Sequence, residues 1–137
     1  MAAQAFLDTN VILRHILADH LDHSPRSTAL FERIERNEIT VRTSDTVIFE
    51  SVFALEKLYQ VPRTTIAEAL LLVLAFPGIV LPGKEAYRSV FELYVTRRGL
   101  SFADCYHAVL MGRLGLSDIL TFDRGFNNLP GVTRREP

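Results

Sequence analysis

Residues 6–13 read FLDTNVIL. Phe6 and Leu7 are apolar, Asp8 is charged, Thr9 and Asn10 are polar, and Val11, Ile12 and Leu13 are apolar again. The apolar run 5–7 has the length of a strand buried on both faces, and a carboxylate ends it. Three further runs share this character, at 39–41, 78–81 and 119–122, with a weaker fifth near Val132. Helical patterns lie between them. Strands separated by helices require crossovers, so the expectation is an α/β fold with a Rossmann-like parallel sheet of about five strands and helices on both sides.

The expected strands are 4–8, 39–42, 78–81, 118–122 and 132–134. The expected helices are 10–19, 24–37, 45–60, 63–76, 84–98 and 101–114, with a short helical turn at 125–129. Ser24-Pro25 places a cap candidate before a proline at the first helical position, and Thr65 with Glu68 and Ser101 with Asp104 fit capping boxes. Pro62, Pro77-Gly78, Gly99 and Gly115 break helical patterns.

A chain of 137 residues with 48% hydrophobic content suits one domain, 1–137, with a full core. A formal charge of −1 is not the footprint of a strongly basic nucleic-acid clamp, though bound cations would change the local sign of a nuclease site. Cys105 stands alone, which excludes an internal disulfide and suits a reducing compartment. The start MAAQAFLDTN lacks the pattern of a signal peptide. The longest apolar run, 69–76, is far short of the ~20 residues of a membrane helix. The expectation is a soluble, cytoplasmic protein with no membrane association.

Most acids sit among polar neighbours at helical spacing, as a solvated face requires. Four do not. Asp8 and Asp123 end apolar runs, where open α/β sheets bind ligands. Glu50 has Val47, Phe53 and Ala54 on its own helical face, and Asp104 lies in the first turn of the apolar segment SFADCYHAVLMG. Each has a local alternative. Asp8 could cap the next helix, Asp104 could complete a capping box, and Asp123 could make an Asx turn. Glu50 has no local partner, and burying it unpaired would cost several kcal/mol, as ~20 kcal/mol Born penalties shrink to after relaxation. Together, two acids at strand ends and two near helix starts belong at one sheet edge. Carboxylates gathered there repel each other unless they protonate or bind cations. Oxygen donors without a Cys or His cluster select a hard metal, Mg²⁺ or Mn²⁺, as one or two ions.

FLDTNVILR, ESVFALEKLY, LSFADCYHAVLMGRLG and ILTFDRGFNNLPGV, in this order and spacing, resemble the PIN-domain family of metal-dependent nucleases. The nearest likeness is to the toxin subunits of VapBC-type toxin–antitoxin pairs, from about residue 4 to the end. The resemblance implies a metal-dependent endoribonuclease. Asp8, Glu50, Asp104 and Asp123 match its acidic quartet, with Asp8, Asp104 and Asp123 as metal ligands. Thr121 matches a supporting hydroxyl near the first acid, and Asn10 matches a polar position near the metal. A cognate antitoxin and a homodimer are the partners it implies, and RNA the substrate.

Among the basic residues, Arg14 and Arg124 are the nearest candidates for phosphate contacts, since Arg binds phosphate through two donors. His15, His20 and His23 lack the spacing of a helical zinc pair. Cys105 and His107, two apart on one helix, point in different directions. Two alternatives stand beside the toxin: a PIN nuclease of RNA processing, and an inactive PIN module that binds RNA or protein. Four mutually repelling acids have no purpose in the latter.

Overall fold

Each expected apolar run forms a strand, but only two or three residues of each enter a ladder. The computed structural model describes residues 2–137. Its strands are β1 (Ala5–Phe6), β2 (Val41–Arg42), β3 (Ile79–Val80), β4 (Asp118–Leu120) and β5 (Thr133–Arg135). All pairings are parallel. The expected ladder of five is divided into one of three, ordered β1-β2-β3, and one of two, β4-β5. The chain forms two compact units, Met1–Lys84 and Glu85–Pro137.

In the first unit, α1 (Thr9–Leu17) and α2 (His23–Glu35) lead from β1 to β2. From β2 to β3 the chain runs through α3 (Asp45–Phe53), a π-helical turn (Ala54–Leu58) and α4 (Arg63–Ala75). Leu7, Ile12, Ile34, Val41, Ile48, Leu55, Leu70 and Ile79 are buried in its core. The single helix expected over 45–60 is not continuous. Its last turn widens, with the Tyr59 N–H donating to the Ala54 carbonyl at 3.1 Å and the Val61 N–H to the Leu55 carbonyl at 2.9 Å. Pro62 forces this ending, because the residue before proline is driven out of helical geometry; Gln60 adopts a left-handed φ of 54°.

Two cap expectations fail for local reasons. Helix α2 starts at His23, and the His20 Nδ1 accepts the N–H groups of Asp22 and His23 at 3.2 and 2.9 Å. The Ser24 hydroxyl instead accepts from the His20 N–H at 3.1 Å. Helix α4 starts directly after Pro62, which places Thr65 inside it.

In the second unit, a 3₁₀ turn (Lys84–Ala86) enters at its boundary, followed by α5 (Tyr87–Thr96) and α6 (Phe102–Arg113). Their aromatic rings form the core: Phe91 lies 5.0 Å from Phe102, and Tyr94 meets Phe102 edge-on at 5.4 Å. A second 3₁₀ turn (Arg124–Phe126) lies between β4 and β5. Among the described residues, no helix is long and apolar enough to cross a membrane.

Candidate active site

The parallel register places Phe6 opposite Arg42, so the next pair is Leu7 and Thr43. The Leu7 N–H donates to the Arg42 carbonyl at 2.7 Å, and the Leu7 carbonyl accepts from the Thr43 hydroxyl at 3.1 Å. Thr43 is only 1% exposed. The backbone that carries Asp8 is therefore clamped from the neighbouring strand. Asp8 occupies the N-cap position of α1 with extended geometry, yet its side chain makes no capping bond. It stands exposed at the positive end of a helix, which favours an anion there.

The next residue brings in the second acid. The Thr9 hydroxyl donates to Glu50 Oε1 at 3.4 Å, joining the start of α1 to the second turn of α3. Ser44 caps α3 by accepting from the Val47 N–H at 3.2 Å. Glu50 is exposed, so the cost of burying it unpaired does not arise. The residues around it in sequence, Val47, Ile48, Ser51 and Val52, turn inward, and Glu50 and the exposed Phe53 lie on the other side of α3.

In the second unit, Ser101 caps α6 by accepting from the Asp104 N–H at 3.2 Å. The reciprocal half of the capping box is absent among the described residues, which leaves the half-buried Asp104 carboxylate uncommitted. Phe102, Cys105, Ala108 and Met111 form the buried stripe of this helix. Asp123 does make the Asx turn: its Oδ1 accepts from the Gly125 N–H at 2.7 Å. The Asp123 N–H donates to the Thr121 hydroxyl at 3.0 Å, so Thr121 here braces the fourth acid.

Among the described residues, none of these four carboxylates takes part in an ion pair. Other acids do: Asp19, Asp22, Glu56, Asp118 and Glu136 each lie within 4.0 Å of a basic side chain. Arg14 is committed locally, donating to Asp19 at 2.8 Å, and Asp19 and then Tyr59 hold its guanidinium more firmly in the charged form. Arg124 is exposed and adjacent to Asp123. Asn10 is exposed in the first turn of α1.

Two residues with roles at these acids escaped the sequence reading. Thr43 holds the end of β1, and only strand register could reveal it. Arg134 donates through Nε to the Asp123 carbonyl at 2.9 Å and through Nη2 to the Phe122 carbonyl at 3.2 Å. Its partial burial in β5, between the exposed Thr133 and Arg135, reflects strand alternation, which a dipeptide of two arginines does not display.

Metal fit rests on the donor set. All four side chains offer hard oxygen atoms, and among the described residues none forms an ion pair with a protein cation. Among the described residues, no three His, Cys, Asp or Glu side chains form a ready-made cage. Mg²⁺ does not need one, since it keeps several waters and is commonly held by one or two carboxylates with substrate phosphates. The donor chemistry therefore fits Mg²⁺ or Mn²⁺. The histidines offer no such site: the His15 ring stacks on Phe31 at 4.4 Å and meets the Thr28 hydroxyl at 2.9 Å.

A family model described as the PIN domain matches residues 5–132. The VapC ribonuclease of Aquifex aeolicus (strain VF5) is 28% identical over 123 residues, which span 90% of this chain and 90% of that protein. With nearly its whole length matched, helices between parallel strands and acids after β1 and β4, the chain belongs to the PIN-domain family.

Proposed function

We propose that this protein is a metal-dependent endoribonuclease, the toxin component of a type II toxin–antitoxin system, with residues 1–137 acting as one PIN-like domain. The observation that carries the reading is the set of four carboxylates, Asp8, Glu50, Asp104 and Asp123, each left without a basic partner among the described residues in a chain whose other acids commonly have one. Family membership and the ribonuclease relative supply the reaction class.

Asp8, Asp104 and Asp123 are the proposed ligands of one or two Mg²⁺ or Mn²⁺ ions, and Glu50 completes the acidic set. Such an ion, when bound, neutralises phosphate charge and lowers the pKa of water. The chain's own residues do the rest. Thr43 and Thr9 fix the acids of the first unit. Thr121 and Arg134 fix the loop of Asp123. Asn10 orients polar groups beside Asp8, and Arg124, with Arg14 when shared from Asp19, contacts substrate phosphate. A nucleophilic side chain is not required. The toxin role brings a cognate antitoxin, a homodimer and a cytoplasmic setting.

Purified protein incubated with mixed RNAs and Mg²⁺ or Mn²⁺ tests the reading. Cleavage should stop with chelator. It should fall in Asp8→Asn and Asp104→Asn by at least the ~100-fold that loss of a ligand's outer partner can cause. Chelator-resistant cleavage, or full activity in both variants, would overturn it.

A further inference from the structure

A cavity of about 380 Å³ lies in the first unit between α1 and α2. Arg14, His23 and Arg26 supply its charged and polar edge, Asn10 its end nearest Asp8, and Val11 and Leu30 its apolar wall. No acidic side chain lines it, whereas Asp19 and Glu32 line a separate depression of the same unit. Its edge thus offers guanidinium, imidazole and amide donors, and its wall offers apolar surface. The chemistry matches an anion joined to a flat apolar group.

We propose that this cavity holds one unpaired nucleotide of the RNA strand, with its base against Val11 and Leu30 and its phosphate on Arg26 and Arg14. The proposal rests on the ribonuclease reading and names a substrate subsite for it. The volume falls within the range of small-ligand pockets, roughly 300–1,000 Å³. Asn10 lies two residues from Asp8, so a strand seated here continues toward the first acid. Arg14 is oriented by Asp19 at 2.8 Å. Arg26 is paired with Asp22 only at 3.3 Å and on an exposed surface, so its guanidinium is readily shared with phosphate. Only an unpaired base can enter, because a duplex keeps its bases stacked inside. An acidic protein segment is the competing occupant. It lacks the flat ring that the apolar wall and the Asn10 amide accommodate together.

Binding measured in chelator separates this subsite from catalysis. The probe is a short fluorescein-labelled single-stranded RNA of mixed sequence, followed by anisotropy, with its duplex and a poly-glutamate peptide as comparisons. Arg26→Ala should weaken single-strand binding about tenfold, as loss of one charge-assisted hydrogen bond does. It should also reduce the steepness of log affinity against log salt by about 0.7, one phosphate contact's share for single strands. Arg26→Lys should recover most of the slope. Leu30→Trp, which fills the wall without changing charge, should weaken binding and leave the slope intact. Urea unfolding of each variant checks the fold. Unchanged affinity and slope in Arg26→Ala, or equal binding of the duplex or poly-glutamate, overturns the subsite. Failure of the ribonuclease reading appears separately, as absent cleavage with metal while Arg26-dependent RNA binding persists.

Discussion

The two units hold their acids by opposite means. In Met1–Lys84 the acids are positioned from a distance: Thr43 reaches Leu7 across 36 residues of sequence, and Thr9 reaches Glu50 across 41. Their own carboxylates do little for the local backbone. In Glu85–Pro137 the acids are positioned by near neighbours. Ser101 is three residues from Asp104, and Thr121 and Gly125 are each two from Asp123. The difference teaches where stability and function separate. An acid that caps nothing can be altered without cost to its helix, while an acid that shapes its own turn cannot.

Substitutions can break this contrast. The largest effect belongs to Thr43→Val, which removes a buried donor and leaves the Leu7 carbonyl short of a partner. Urea unfolding should lose about 1–3 kcal/mol, and activity should fall with it because Asp8 loses its clamp. An unchanged unfolding midpoint would break the long-range half of the contrast. Ser101→Ala should cost about 1 kcal/mol, a typical N-cap loss. Asp123→Ala should cost about 0.5 kcal/mol, the low end of capping, because its turn is short and exposed. Asp8→Ala should leave stability nearly unchanged while abolishing activity; a cost like that of Ser101→Ala would mean that Asp8 does cap α1.

A smaller effect tests the first unit through pH. Burial lowers the His15 pKa, so the folded state binds its proton less readily than the unfolded chain. The contribution is complete above the unfolded value near 6.5 and is lost as pH falls from there toward the lowered folded value. His15→Gln should flatten that part of the stability profile, read as a smaller change of the urea midpoint with pH. An identical slope in the variant assigns the pH dependence to other groups.

Much of this was legible beforehand. FLDTNVIL and ILTFD announced strands followed by acids, although Phe6, Leu120 and Phe122 are exposed and not buried on both faces as expected, and Ser101 announced its cap, because capping leaves its mark within a few residues. The failures were equally local in cause. Regular α3 geometry gave way to a π-helical turn at Ala54, and His20 took the capping role assigned to Ser24. The exposure of Glu50 could not be read from its apolar neighbours, which do not reveal which side of a helix meets the core.

By itself the amino-acid order determined the order of strands and helices and the parallel connections, which follow from periodicity and strand length, and it singled out four acids as candidates by residue chemistry. Tertiary structure alone decided that Asp8 leaves its helix uncapped, that Thr43 and Arg134 brace the backbone around two of the acids, and that Arg14 and Arg26 edge a cavity free of acids. The physical reason is register. Hydrogen bonds between strands and donors gathered between helices depend on which residues the fold sets opposite each other, and no local pattern records that.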